Sequence, residues 1–362
     1  MPSTFYVPIL PTKRGELSAL RDLPAEVQHR LTPLFVVHPV DWNFETDAPS
    51  KSVAAHIAGL GKKIADAWGT DRALLDPAFV IDETEPTGGL HTIADEAAAE
   101  SLRLVPVVAP GRPAEYLAAA AALAQRDDTG VCVRLSPGSW PTTPAKVREL
   151  NELLAALAVT PEQVDLVLDL ADEIGSELAQ TLAQTTLLTL PHAQLWRSVT
   201  IAGGSFPPDL SGVKKDRLER IPRQEWQLYC DIAAEAAASG LRVPGFGDYA
   251  AAHPDPTVTI NPRFMNISGS LRYTSDDEWL VAKGPLFKGN RGGYGAESVV
   301  PPARLVAGAE EFRGAEFSAG DAWIADVAAT GENGGNPERW RRVATNHHLV
   351  FVTEALATRS AS

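Results

Sequence analysis

Arg134, Asp169, Asp248 and Tyr249 each stand at or next to the end of a short apolar run, and that shared position makes them the first candidates for chemistry. Asp169 lies inside Leu166-Val167-Leu168-Asp169-Leu170, where an unpaired buried carboxylate is very costly. Arg134, in the preceding run Val131-Cys132-Val133-Arg134-Leu135, is its natural partner. The pair reads equally as an ion pair holding the centre of the fold or as a carboxylate poised for acid/base or ligand work. Asp248 and Tyr249 close Phe246-Gly247-Asp248-Tyr249 and suit hydrogen bonding to a polar ligand, although a Gly-Asp turn accounts for them as well.

Ser205 follows Gly203-Gly204, so backbone amides there could approach a ligand closely. The glycines lack the spacing of a nucleophile elbow, which argues against a serine hydrolase. Arg263, Arg272, Lys283, Lys288 and Arg291 form the most basic local cluster in an acidic chain. Together with Lys13, Arg134 and Tyr273 they would favour a carboxylate or phosphate, with Lys288 and Arg291 as ordinary solvated charges. His347 and His348 are adjacent in Thr345-Asn346-His347-His348. On a helix such neighbours diverge by about 100°, so they do not share one metal ion. One is expected to pack and the other to face outward, available as a hydrogen-bonding group or general base.

The elements that must position these groups recur in a regular beat, an apolar strand-like run followed by an Ala- and Leu-rich stretch with helical periodicity. The runs are 6–10, 34–37, 78–81, 104–108, 131–135, 166–170, 196–201 and 241–246. Such alternation predicts a parallel sheet, and eight units over about 250 residues predict a (β/α)8 TIM-barrel-like α/β fold. Strand ends in that fold share one rim. They place there Thr12, Lys13 and Arg14, His38, Asp82, Arg134 and Ser136, Asp169, Asp172 and Glu173, Ser205, and Asp248 with Tyr249. Helices are expected over 50–68, 91–103, 114–126, from Thr142 or Thr143 through Leu157, and over 223–239.

After residue 250 the beat changes. His253-Pro254-Asp255-Pro256 breaks any helix, and 257–261, 268–273 and 278–282 read as strands. These segments add Asn261, Arg263, Arg272, Tyr273 and Lys283 to the candidates. A glycine-rich loop is expected over 284–295, a second over 331–337, and a last helix from Glu338 to about Thr358. The chain thus reads as a single barrel domain over 1–362. Its regular units span 1–250, and a C-terminal glycine-rich and helical elaboration over 251–362 closes one end.

A net charge of −14 disfavours extended nucleic-acid binding, which needs a basic face, but leaves room for a small basic pocket. The two cysteines, Cys132 and Cys230, lie in apolar surroundings without metal-type spacing and read as buried and reduced. The opening Met1-Pro2-Ser3-Thr4-Phe5 has no basic region leading into an apolar stretch, and no run approaches the roughly 18 apolar residues of a membrane span. A cytoplasmic location is expected, and the heavy Ala, Pro, Asp and Arg usage suggests a GC-rich bacterial genome. No metal and no particular cofactor is indicated.

Several blocks together resemble the bacterial and phage Beta protein family. They are Tyr6-Val7-Pro8-Ile9-Leu10 with Lys13, Gly15, Glu16 and Leu20, then Gly203-Gly204-Ser205-Phe206-Pro207, Phe246-Gly247-Asp248-Tyr249, Leu271-Arg272-Tyr273-Thr274 and Trp279-Leu280-Val281. Near the end come Phe317-Ser318-Ala319-Gly320-Asp321, Trp340, and Ala344-Thr345-Asn346-His347-His348-Leu349-Val350-Phe351-Val352. One departure is at Phe35-Val36-Val37-His38-Pro39, where the family pattern leads one to expect a glutamate after the strand. The resemblance implies a phage- or mobile-element-associated protein linked to toxin control and anti-phage defence, and it carries over no reaction, cofactor or catalytic residue.

Two readings follow. In the first, the barrel rim recognises a protein partner, such as a toxin or phage component, or a small anionic ligand. In the second, the protein is a hydrolase or transferase acting on a phosphate-bearing or nucleotide substrate. Arg134, Arg272 and Lys283 would then hold the anion, Asp169 or Asp248 would act as base, and His347 or His348 would assist.

Overall fold

The computed structural model describes residues 6–257, 266–288 and 292–361. In chain order the elements are β1 (Tyr6–Pro11), α1 (Arg14–Arg21), α2 (Ala25–Gln28), β2 (Leu34–Val36), the short hairpin β3 (Trp42–Asn43) and β4 (Ala48–Pro49), α3 (Val53–Ile57) and α4 (Leu60–Trp68). There follow β5 (Ala73–Asp76), α5 (Leu90–Ala99), β6 (Leu104–Val108), α6 (Ala114–Asp127), β7 (Val131–Leu135), α7 (Pro144–Ala156), β8 (Val164–Asp169), α8 (Glu177–Thr189) and β9 (Ser198–Gly203). The remainder are β10 (Leu218–Pro222), α9 (Gln224–Ala238), β11 (Gly245–Asp248), β12 (Ile267–Thr274), β13 (Glu278–Lys288), α10 (Val300–Ala307), α11 (Ala319–Thr330) and α12 (Pro337–Ala361).

Two compact units result: residues 1–12, 29–204 and 224–249 form one, and 13–28, 205–223 and 250–362 the other. In the first, eight strands close a parallel barrel in the order β1-β11-β9-β8-β7-β6-β5-β2. The expected (β/α)8 architecture is therefore present. Val7, Ile9, Leu34, Val36, Leu74, Val105, Val107, Cys132, Val167 and Ala202 fill one apolar cluster of this unit. Three of its helices begin where a side chain satisfies a free amide: Ser52 accepts from the Ala55 amide, Thr143 from Lys146 and Ser176 from Ala179. The helix expected over 50–68 is divided at Gly59, whose φ of 71° ends one segment and starts the next.

The third strand lies earlier than the apolar pattern indicates. It is Ala73–Asp76, paired in register with Leu34–Val36, whereas Ala78–Val80 forms a single 3₁₀ turn. Pro77 has no N–H to give to a ladder, and Asp76 Oδ1 accepts from the Ala78 amide at 3.0 Å, which bends the chain away from the sheet. Asp82 is consequently no strand end. It sits in an exposed turn, where its Oδ1 accepts from the Thr84 amide and hydroxyl and the Glu85 amide.

The second unit holds a three-stranded antiparallel sheet ordered β10-β13-β12 with α1, α2, α10, α11 and α12. β13 runs on through Lys288, into the segment read as glycine-rich loop, because β12 continues to pair with it past a bulge at Ile267–Ser270. All of the expected strand over 257–261 except Thr257, and the candidates Asn261, Arg263 and Arg291, lie outside the described residues.

Candidate functional site

Five side chains meet at the C-terminal end of the barrel strands. Arg134, one residue from the end of β7, lies at the centre. Its Nε donates to Asp169 Oδ2 at 2.8 Å, its Nη1 to Asp76 Oδ2 at 2.9 Å and its Nη2 to the Tyr249 hydroxyl at 2.7 Å. Nη2 also lies 2.6 Å from Asp169 Oδ2, which accepts in addition from the Tyr249 hydroxyl at 2.6 Å. Arg112, in the loop after β6, donates from Nη2 to the other oxygen of Asp76 at 2.8 Å. The two carboxylates are buried and the two guanidinium groups only slightly exposed. Beside them, Asp248 at the end of β11 accepts from the Tyr6 hydroxyl at 2.8 Å.

This network explains its own electrostatics. Burial works against the Arg134 charge, but interactions with Tyr249, Asp169 and Asp76 outweigh it and keep the guanidinium well above the ordinary arginine range. Burial likewise pushes the Tyr249 phenol well above its usual value, with Asp169 acting in the same direction, so it stays a proton donor. Both oxygens of each central carboxylate are engaged, Asp169 Oδ1 by the Ala171 amide at 2.9 Å. The arrangement is a preorganised, internally neutralised plug and offers neither carboxylate as a free base.

At the opposite end of the barrel another buried carboxylate, Asp165, accepts from Arg72, Arg197 and Ser198. Burial alone would raise its pKa, but Arg72 and Arg197 prevail and hold it low. Its place before the strand ends reads as stability, in contrast to Arg134 and its partners.

The loops after the neighbouring strands β2 and β5 form the rim beside Asp76. The Thr12 hydroxyl lies 3.1 Å from His38 Nδ1, and His56 donates from Nε2 to the His38 carbonyl at 2.8 Å. Burial lowers the His56 pKa, so the ring is neutral, and its buried Nδ1 has no hydrogen-bond partner among the described residues. Beyond this anchor the β3–β4 hairpin leaves Trp42 and Phe44 each 41% exposed, and the turn after β5 leaves Phe79 39% exposed. Residues 41–51 and 77–89, which carry these rings, hold six carboxylates (Asp41, Glu45, Asp47, Asp82, Glu83, Glu85) and one cation, Lys51.

The other residues singled out from the sequence belong to the second unit. Ser205 donates to the Pro222 carbonyl and Lys283 to the Leu210 carbonyl. Arg272 lies with its guanidinium 4.2 Å from the centre of the Phe206 ring and donates to the Ala251 carbonyl. Neither adjacent histidine faces outward: both are fully buried. α12 is packed on both sides, His347 stacking on Tyr273 at 3.7 Å and His348 on Trp279 at 5.0 Å. His347 Nε2 faces the Thr274 carbonyl, which can only accept, and Nδ1 lies 2.8 Å from Asp321 Oδ2. Tyr273 donates to Asp321 Oδ1 and Ser318 to Oδ2. Burial alone would raise the Asp321 pKa, but His347, Ser318 and Tyr273 outweigh it and hold the carboxyl below the ordinary aspartate value. The His348 Nδ1 pairs with the Thr274 hydroxyl at 2.8 Å. No group of three or more His, Cys, Asp or Glu among the described residues is placed to hold a metal ion.

The Beta protein family pattern matches residues 6–354, nearly the whole chain. The chain belongs to the Beta protein family. No curated protein matches this family member. One solved structure similar to it is tryptophan synthase from M. tuberculosis in an open form with BRD0059 bound. The identity is 14% over 68% of this chain and 82% of that one, with a TM-score of 0.32, a likeness too slight to bear on activity. No helix among the described residues is long and apolar enough to cross a membrane.

Sequence reasoning missed Asp76, Arg112 and Tyr6. Asp76 was hidden by the misplaced third strand, and an Asp-Pro pair ending an apolar run was its available signal. Arg112 follows Ala109-Pro110-Gly111, a turn directly after β6, so its distance from a strand end was legible. Tyr6 opens an apolar strand and gave no signal.

Proposed function

We propose that the C-terminal rim of the barrel is a docking face for a cationic protein partner, gripped by Trp42, Phe44 and Phe79 among carboxylates. One observation carries this reading. Two loops leaving adjacent strands expose three aromatic rings in a stretch with six acids and one lysine. Aromatic faces attract Lys and Arg side chains, and surrounding acids steer them in and exclude anionic competitors. The closed Arg134 network supports the same assignment. With its carboxylates engaged internally, the barrel mouth serves as a rigid base for the rim, and binding is better supported than catalysis. In the setting that the family resemblance implies, phage defence or restraint of a neighbouring toxin, the partner is a basic toxin or phage component.

The test is fluorescence anisotropy of labelled oligolysine and oligoglutamate peptides with the wild type and with W42A/F44A/F79A, which keeps every charge. Each cation–π contact at an exposed site is worth about 0.5–1 kcal/mol, so the triple variant should bind oligolysine roughly 10-fold more weakly or worse. Equal oligolysine affinity in the two proteins, or equal affinity of the wild type for both peptides, overturns the assignment.

A further inference from the structure

The second unit contains a concentration of positive charge that its own acids do not neutralise. Arg272 on β12 and Arg341 on α12 both donate from Nη1 to one carbonyl, that of Ala251. Two guanidinium groups sharing a single neutral acceptor are held at close range, an arrangement that like-charge repulsion opposes. The carboxylate beside them is Glu16, whose Oε1 lies 3.6 Å from Arg341 Nε, an ion pair longer than a hydrogen bond. Lys13 caps the start of α1 without a side-chain capping bond, and its charge acts on Glu16 together with those of Arg341 and Arg272. The close packing is built in: a side chain at Gly15 would meet Arg341 Cγ and the Glu338 carbonyl at 3.2 Å.

The charge balance is three cations against one carboxylate, a net of +2 in a chain of net −14. Burial first, and Arg341 second, drive the Arg272 pKa well below its ordinary value. Burial also raises that of Glu16, so its compensation is weakened further. Apart from the Ala251 carbonyl, Arg272 has no hydrogen-bond acceptor among the described residues. Its remaining N–H groups form the kind of planar fork that matches phosphate oxygens.

We propose that Lys13, Arg272 and Arg341 form a binding site for a phosphate monoester dianion. A ligand of charge −2 cancels the excess of the cluster and supplies the acceptors that the two arginines share too few of. The chemistry is common to inorganic phosphate and to a phosphoryl group on a larger molecule, so both are tested.

The experiment is isothermal titration of the full chain with inorganic phosphate, ribose 5-phosphate and AMP at constant ionic strength in chloride buffer, with ribose as control. The same series is run on Arg272→Gln, Arg341→Gln and Arg341→Lys. Phosphate-bearing probes should bind and ribose should not. Affinity should fall at least 10-fold in either glutamine variant, and Arg341→Lys, which keeps the charge, should fall less. Binding by the two monoesters much tighter than by inorganic phosphate identifies a phosphorylated small molecule; equal binding identifies free phosphate. W42A/F44A/F79A should bind phosphate like the wild type, which separates this site from the rim. The proposal is overturned if the wild type does not respond to phosphate. It is also overturned if both glutamine variants, shown folded by circular dichroism, bind it as the wild type does.

Discussion

Replacing Arg134 by Met tests whether the barrel-mouth network has the energetics its geometry implies. The substitution keeps the length and apolar stem of the side chain but removes one cation bonded to Asp169, Asp76 and Tyr249 at 2.6–2.9 Å. Among the described residues, Asp76 retains Arg112, whereas Asp169 retains only the Ala171 amide and the Tyr249 hydroxyl. A unit charge pair near 4 Å is worth about 4 kcal/mol at an effective dielectric constant of 20. Breaking a buried pair by removing one member typically costs about 3–5 kcal/mol, because the other member is left uncompensated. R134M should therefore lose roughly 3–5 kcal/mol, read as a shift in the urea midpoint at unchanged slope. Adding Asp169→Asn removes the stranded charge, so the double variant R134M/D169N should recover about 1–3 kcal/mol relative to R134M alone. A loss below about 1 kcal/mol in R134M, or a double variant no more stable than R134M, would refute the argument that charge pairing holds this network together.

Asp321 gives a pH signature in the second unit. Its carboxyl pKa is depressed, so its contribution is fully present above the unfolded aspartate value of about 3.9 and is lost as the pH falls through the lower folded value. Urea unfolding of the wild type should weaken from about pH 4 downward, and Asp321→Asn should be less stable at neutral pH with a shallower slope in that acid window. Parallel profiles would contradict it. In the barrel unit, Gly61→Ala should destabilise although alanine is the better helix former. The new Cβ would fall 2.0 Å from the Ile93 carbonyl and 2.7 Å from Glu96 Cβ on α5. Overpacking of this kind costs about 1–3 kcal/mol, against a propensity gain of about 1. A variant with an unchanged or higher urea midpoint would show that α4 and α5 can separate without penalty.

The barrel was legible in the sequence because its information is local and repeated. Each strand carries its own apolar run and each helix its own periodicity, so one misplaced strand does not disturb the other seven. The Arg134–Asp169 pairing was legible for the same reason, since consecutive parallel strands are neighbours and a buried aspartate requires a cation. The error at 78–81 arose because Ala78-Phe79-Val80-Ile81 is as apolar as Ala73-Leu74-Leu75, and only the N–H missing from Pro77 distinguishes them. That error concealed Asp76, the residue through which Arg112 joins the network. The histidine pair was harder, because whether a helical side chain faces outward depends on how many neighbours pack on the helix. α12 buries His347 against Tyr273 and His348 against Trp279, two residues of an antiparallel sheet whose order no single run encodes.

Net charge misleads about such a protein because the excess is not spread evenly. Both ends of the barrel contain buried aspartates, and Asp76, Asp169 and Asp165 are matched by arginines, so these closed networks contribute almost nothing to the −14. The imbalance lies elsewhere. It is strongly negative in the aromatic loops after β2 and β5, and positive around Arg272 and Arg341. Matched buried charge fixes geometry, since every group already has its partner and gains little from a ligand. Unmatched charge at an accessible surface has the opposite property, because its compensation must come from solvent ions or from a binding partner. By that criterion the residues that read most like catalysts in the sequence, Asp169, Asp248 and His347, are held by internal bonds. The groups with binding capacity to offer are the rim loops and the arginine pair.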